Sequence, residues 1–190
     1  MATTCVLIAE DETIIRLDLR TLLESAGFEV CAEARNGVEA VELAAASSPD
    51  VAVLDVKMPH LDGLEAARRI LDEQQLPIVL LTAYGDPEIV ARAGEAGVFG
   101  YLVKPFREQD LVPAIRTAQA RHAELVELRL EAHTLREALE ARKAIERAKG
   151  ILMVKEGLTE SEAFERLRRA SQRSGRPMKV IADAVAATLG

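Results

Sequence analysis

The chain has little of several residue types that would open particular lines of chemistry. Among its 190 residues there is no Trp, with only two Tyr and four Phe. Beyond Arg142 the sole aromatic residue is Phe164, at a spacing that suits a core position, which argues against an aromatic stacking surface in that region. Only two cysteines occur. Cys5 and Cys31 both fall in strand-like apolar runs and are expected to be small reduced core residues, not a disulfide or metal pair. No stretch approaches the roughly 18 consecutive apolar residues of a membrane span. The opening Met1-Ala2-Thr3-Thr4-Cys5 places no basic region ahead of an apolar one. A cytoplasmic protein without membrane contact is therefore expected. Glycine is missing between Leu111 and Gly150, and Pro113 is the only proline there. A first helical turn tolerates proline, so this stretch permits one long helix.

What is present reads as globular, at 49% hydrophobic and 29% charged residues. The length suits one ordinary domain with an appendage, or two small domains. The net charge of −7 hides an asymmetry. Residues 1–115 carry 9 Lys+Arg against 20 Asp+Glu, whereas residues 116–190 carry 15 against 11, and from Arg142 onward the count is 11 against 6. An acidic first part and a basic tail imply two tasks, with the tail the half suited to a polyanion.

The first part alternates strand-like and helix-like segments. Cys5 to Ala9, Glu29 to Ala32, Val51 to Leu54, Ile78 to Leu81 and Phe99 to Val103 are short apolar runs. Between and after them, Ile14 to Ala26, Val38 to Ala46, Leu64 to Glu73, Glu88 to Ala96 and Asp110 onward have helical periodicity. Five successive βα units predict a doubly wound, five-stranded parallel sheet covered by helices on both faces. The chain as a whole is then α/β plus all-α: a domain over residues 1–120, a helical coiled-coil linker over 121–141, and a small three-helix domain over 142–190. With Leu125 at heptad position a, Leu128, Ala132, Leu135 and Leu139 follow at d, a, d and a, while Leu111 and Ala118 extend the a series upstream. In a parallel pair Glu124 would face Arg129, and Glu131 would face Arg136. That charge match favours a parallel homodimer, although a single amphipathic helix lying on its own domain would also satisfy the stripe. In the tail, Gly157 closes the long helix, Thr159 with Glu162 forms a capping-box pattern, Gly175 closes the second helix, and Pro177 opens the third. Ala148, Ile151, Leu152, Leu158, Ala163, Phe164, Leu167, Val180, Ile181, Ala184 and Val185 are the expected apolar faces.

Chemistry gathers at the carboxyl edge of the sheet, where such folds hold ligands. Glu10 and Asp11 follow the first strand and Asp55 ends the third. Three carboxylates in one cleft repel unless a cation joins them, and an oxygen-only set suits Mg²⁺. Thr82 ends the fourth strand and Lys104-Pro105 the fifth. The set can hold a phosphoryl group, with Lys104 and the metal neutralising its oxygens, Thr82 donating a hydrogen bond and Asp55 attacking in line. An ion pair of Lys104 with Asp55 is the plainer role for that ammonium, and the two roles can follow one another.

These residues resemble the receiver domain of bacterial two-component response regulators. The match runs through Leu7-Ile8-Ala9-Glu10-Asp11-Glu12, Asp55-Val56-Lys57-Met58-Pro59 with Asp62-Gly63, Leu81-Thr82-Ala83, and Tyr101-Leu102-Val103-Lys104-Pro105-Phe106. It implies a flavodoxin-like fold in which Asp55 accepts a phosphoryl group from a sensor histidine kinase. Asp11, Asp55 and the backbone carbonyl of Lys57 would bind Mg²⁺, with Glu10 acting directly or through water. Glu10 departs from the Asp commoner in that family. Thr82 and Tyr101 would form the switch pair, and Lys104-Pro105 a cis peptide. The resemblance implies self-phosphotransfer and autodephosphorylation, not catalysis on outside substrates.

The tail resembles the ANTAR domain of RNA-binding transcription antiterminators, through Arg142, Ile145, Ala148-Lys149-Gly150-Ile151-Leu152-Met153, Gly157-Leu158-Thr159, Glu162-Ala163-Phe164, Leu167-Arg168 and Ala170-Ser171. That likeness implies binding to structured RNA hairpins and control of antitermination. Arg142, Lys143, Arg147, Lys149 and Arg168 are the candidate RNA contacts, and Arg166, Arg169, Arg173, Arg176 and Lys179 add charge nearby. Lys149 lies between Ala148 and Gly150, which should leave its ammonium free to approach a backbone. Gly150 inside a helix costs about 1 kcal/mol relative to Ala, which points to close packing or close RNA approach. His60, His122 and His133 are expected in exposed loop or helix positions without a role. Rival readings are an adaptor whose tail only dimerises or binds protein, and, with less support, a DNA-binding regulator.

Overall fold

The structure, a computed structural model, describes residues 3–83 and 97–189. In chain order the elements are β1 (Cys5–Ala9), α1 (Thr13–Ser25), β2 (Glu29–Ala34), α2 (Gly37–Ser47), β3 (Val51–Asp55), α3 (Gly63–Glu73), β4 (Ile78–Thr82), β5 (Gly100–Val103), α4 (Glu108–Glu156), α5 (Glu160–Ser174) and α6 (Met178–Leu189). The helix expected over Glu88 to Ala96 lies outside the described residues. The chain divides into two compact units, Met1–Val126 and Glu127–Gly190, with α4 contributing to both.

In the first unit all five strands pair in parallel, in the order β2-β1-β3-β4-β5. Alternation along each strand assigns its side chains to the two faces of the sheet. Leu7, Ala52, Leu54, Ile78 and Leu80 pack with Ala40 and Ala44 of α2 and Ala66, Ala67 and Ile70 of α3. Val6, Ile8, Val51, Val53, Val79 and Leu81 pack on the other face with Leu19 and Leu23 of α1 and with Leu111, Ile115 and Ala118 of α4. Leu111 and Ala118, which extend the heptad pattern upstream, are therefore fully buried core residues of this unit. The strand order reverses at β1 and β3, so the loops after these strands diverge and leave a crevice at their carboxyl ends.

Two glycines pin the loop that follows β3. The Gly63 N–H donates to the carbonyl of Val56 at 2.9 Å, and the Gly37 N–H to that of Leu61 at 3.1 Å. A Cβ on Gly63 would collide with the Asp55 carbonyl oxygen, and one on Gly37 with that of Leu61. Glycine is needed at both places because backbone meets backbone.

The cysteines differ from expectation. Cys5 and Cys31 are joined as a disulfide. The β1–β2 register slips between Val6 and Leu7, so Cys31 is passed over in the ladder. Its Cα lies 5.6 Å from that of Cys5, within bridging range. His122 also departs from expectation: it is half-buried, and its ring meets Phe99 edge-on at 5.3 Å.

The second unit packs the end of α4 with α5 and α6 around Ala148, Leu152, Ala163, Leu167 and Ala182. Thr159 caps α5 in a full capping box with Glu162, and Gly175 ends that helix in the left-handed conformation. Phe164 and Val180, expected in this core, are 40% and 43% exposed. On α5 the buried stripe runs through Ala163 and Leu167, and Phe164 lies about 100° round the helix from Ala163.

Replacing Gly63 with Ala should lower stability by about 3 kcal/mol, because the loop cannot yield without moving the strand end it is bonded to. Urea unfolding of the two chains measures this, and an unchanged midpoint would show that the loop accommodates a side chain.

Candidate functional site

The site assembles where four strands end. Glu10 follows β1 and is fully buried, Asp55 is the last residue of β3 and 6% exposed, and Asp11 is exposed. Each can offer a carboxylate oxygen, all within 4.8 Å of one another. Lys104, next after β5, places Nζ 2.6 Å from Glu10 Oε2 and 3.2 Å from Asp55 Oδ2. Its backbone N–H donates to the Thr82 carbonyl at 2.7 Å, which extends the β4–β5 ladder by one residue. The Lys104–Pro105 peptide is cis, as the resemblance implied. The plain ion pair considered for Lys104 is thus present in widened form, since Glu10 holds the ammonium more closely than Asp55 does.

Electrostatics follow from burial. Desolvation pushes the Glu10 and Asp55 carboxyls above their ordinary values of 4.5 and 3.8, and Lys104 offsets part of this. For Lys104, burial alone would lower the pKa, but the bonds to Glu10 and Asp55 raise it. One ammonium facing three carboxylates leaves the cleft anionic. Because its donors are all carboxylate oxygens, the cleft fits a hard divalent cation.

Thr82, at the end of β4, is buried, while Tyr101 in β5 is 49% exposed, and Lys57 is exposed in the loop after Asp55. Arg16 is a residue that sequence reasoning missed. This α1 residue is 7% exposed, and its guanidinium donates to the Glu10 carbonyl at 2.7 Å while lying 3.5 Å from Glu33. It fixes the turn that carries the acid pair. An arginine on the buried side of an otherwise apolar helix face was the available signal.

In the second unit the candidate cations separate. Arg142 and Arg147 are exposed, with no carboxylate partner among the described residues. Lys143 pairs with Glu140 at 3.0 Å and Arg168 with Glu165 at 2.9 Å. Lys149 is corrected: its ammonium is not free. It is 7% exposed, bonded to Glu146 at 2.9 Å and to Glu160 at 2.7 Å, and so fastens the end of α4 to the start of α5. Gly150 is corrected in part, because a Cβ there would meet nothing within 4 Å. Close packing inside this chain is not its reason.

The response regulator receiver domain model matches residues 6–116, and the ANTAR domain model matches residues 133–185. The chain belongs to the response regulators. This response regulator is 49% identical over 185 residues to the transcriptional regulatory protein PdtaR of Mycobacterium tuberculosis, covering 97% of this chain and 90% of that protein. Its first unit is also similar to the chemotaxis protein CheY of Bacillus subtilis, at 37% identity over 58% of this chain and 92% of that one. Among solved structures it is similar to the receiver domain of the response regulator NarL from Mycobacterium tuberculosis. There the TM-score is 0.60 at 30% identity, covering 63% of this chain and 98% of that one. The response regulator therefore joins a receiver, with its acidic phosphoacceptor cluster, to an ANTAR domain, and as a receiver it directs its chemistry to itself.

The Lys149 bridge makes a pH-dependent contribution whose sign is defined. Lys149 holds the Glu160 carboxyl below its ordinary 4.5. A lowered carboxyl stabilises the fold above its unfolded pKa, and that contribution is lost as pH falls through the folded value. Lys149 itself is raised above 10.5 by Glu160 and Glu146, so its share is lost only as pH rises beyond that. The bridge should thus contribute from about pH 5 to pH 10. Thermal melts of wild type and Lys149→Met across pH 3 to 8 should converge at the acid end. A constant gap at all pH values would show that the bridge contributes nothing.

Proposed function

We propose that this response regulator accepts a phosphoryl group from a sensor histidine kinase on Asp55 with Mg²⁺ bound. Phosphorylation then governs the binding of its C-terminal domain to structured RNA hairpins in transcription antitermination. The observation that carries the first half is the Glu10, Asp11 and Asp55 cluster at the sheet's switch point, whose two buried members, Glu10 and Asp55, are bridged by Lys104. The second half rests on the ANTAR match and the cation excess of the tail.

Glu10, Asp11, Asp55 and the Lys57 carbonyl would hold the Mg²⁺, whose contribution is to neutralise charge on the transferring group. Asp55 supplies the attacking oxygen, forming an acyl phosphate as the bond to the donor histidine nitrogen breaks. Lys104 moves from the carboxylates to a phosphoryl oxygen, and Thr82 donates to another. With Thr82 drawn in, Tyr101 turns from its half-exposed position toward the space vacated. An apolar groove of about 570 Å³, lined in part by Ile15, Leu19, Leu22, Pro105 and Phe106, opens beside Lys104 and suits the approach of a donor protein. Domain limits of 1–120, 121–141 and 142–190 assign these tasks along the chain. Among the described residues no helix is long and apolar enough to cross a membrane, in keeping with a cytoplasmic site of action.

Asp55→Asn should abolish acid-labile phosphate incorporation, and beryllofluoride should bind wild type only with Mg²⁺ present. Titrating hairpin RNA with and without beryllofluoride should show tighter binding by the activated form. Affinity should fall with salt at a slope of about −0.7 per phosphate contact on unpaired strands. Undiminished labelling of the variant would place the acceptor elsewhere, and RNA binding indifferent to activation would break the link between the halves.

A second observation supports homodimerisation and keeps the adaptor reading in view. Leu128, Leu135 and Leu139 are 55%, 71% and 52% exposed along one stripe of α4. Their Glu and Arg flanks match a parallel partner. Reversing Arg129 and Arg136 to Glu should weaken self-association at low salt, and adding Glu124→Arg with Glu131→Arg should partly restore it. Sedimentation decides, and identical behaviour of all three chains would remove the stripe from any parallel dimer.

A further inference from the structure

One stripe of α4 has no task in the fold or in the phosphoryl chemistry. Lys143, Arg147, Gly150 and Val154 lie at i, i+4, i+7 and i+11, a spacing that places them on one helix face, and all four are exposed. The opposite stripe, through Ala144, Ala148 and Leu152, packs into the core of its unit. Gly150 is the anomaly. It sits inside a regular helix, where glycine is less favourable than alanine, yet its φ is not left-handed and a Cβ would stand in open space. Nothing within the chain requires the missing side chain. One turn further on, Val154 is 82% exposed. One turn back, Arg147 has no carboxylate partner among the described residues, while the exposed Lys143 shares Glu140.

We infer that this stripe seats an unpaired nucleotide of the RNA, with its phosphate at Arg147 and Lys143, and its ring laid on the bare backbone at Gly150 against Val154. The inference rests on the RNA-binding reading and names the surface that performs it. Two cations at one end select a polyanion, and the absent Cβ gives a flat ring access to the helix backbone. Val154 supplies the apolar contact that an aromatic side chain supplies elsewhere. A second copy of the chain fits less well. Continuing the heptad beyond Leu139 places Arg142, Glu146 and Lys149 at the seam positions, so the apolar seam ends before Gly150 is reached. Lys149, held by Glu146 and Glu160, positions the helix and is not part of the seat.

The test uses the full chain with Mg²⁺ and beryllofluoride, and a hairpin RNA selected by wild type from a pool with randomised loops. Gly150→Ala should raise the melting temperature by a few degrees, because alanine is the better helix former, and leave sedimentation unchanged. In the same variant RNA affinity should fall tenfold or more. Stability and affinity moving in opposite directions cannot come from misfolding. Arg147→Ala should weaken binding and reduce the salt slope by about 0.7, and Val154→Ser should weaken binding without changing that slope. Equal RNA affinity of wild type and Gly150→Ala would overturn the seat while leaving the RNA-binding function standing. A change in self-association of Gly150→Ala would overturn it in favour of a contact between copies. Failure of wild type to select any RNA would overturn the seat together with the reading it rests on.

Discussion

The receiver depends on a single ammonium. Glu10 and Asp55 are almost wholly removed from water at the end of adjacent strands, and two carboxylates so placed would repel each other and resist ionisation. Lys104 lies between them, within hydrogen-bond reach of both. Breaking such a buried pair costs about 3–5 kcal/mol, because the group left behind stays buried and unpaired. Everything near the site serves that arrangement: the turn after β5 presents Lys104, Arg16 holds the Glu10 turn, and Gly63 closes against Asp55. The bridge is also what makes a switch feasible. A phosphoryl group adds about −1.5 to −2 charge at Asp55. It thereby competes for the same ammonium.

That competition has a route into the long helix. Lys104 and Pro105 follow β5 directly, and α4 begins at Glu108. The first turns of α4 bury Leu111, Ile115 and Ala118 in the sheet's second core. A helix anchored by buried leucine and isoleucine does not slide by small increments, since close-packed cores have discrete arrangements. A change around β4 and β5 would therefore reach the start of α4 as a choice between packings. The same helix later supplies Ala148 and Leu152 to the second unit. One covalent element thus belongs to both cores.

Much of this is legible in the sequence because it is local. Apolar runs of four or five residues mark the strands, and the pairing of Thr159 with Glu162 three residues on is enough to mark the start of α5. The acidic, hydroxyl and ammonium residues can be placed at one edge because all parallel strands of a βα sheet point the same way. What stays hidden depends on distant register or on rotation about a helix axis. The Cys5–Cys31 bond depends on how β1 and β2 pair, with a register slip beside it, and no local pattern announces that pairing. Periodicity puts Phe164 in the core, but a rotation of one residue separates it from the buried Ala163. For Lys149 the sequence offers a local partner in Glu146, three residues back, but not the bond to Glu160, which lies eleven residues on, beyond a helix end whose turn angle brings the carboxylate back.

The pairing of charges in the tail changes how its net charge should be understood. Of the eleven Lys and Arg residues from Arg142 onward, Lys143, Lys149, Arg166 and Arg168 are matched to carboxylates. Exposed pairs of this kind can be exchanged for phosphate at small cost, since each is worth about 1 kcal/mol or less. The buried Lys149 pair cannot, because giving up its carboxylates would loosen the joint between α4 and α5. The other ten cations are exposed but spread over α4, α5, α6 and the turn between the last two, so one copy brings only part of them to a single RNA and gains only modest affinity. Two copies joined through the Leu128 to Leu139 stripe would present two such surfaces at high effective concentration, and the second contact would form without a second bimolecular cost. A weak site that is strong only in pairs responds steeply to whatever controls pairing. This is the property that a phosphorylation switch far along the same helix requires of its output.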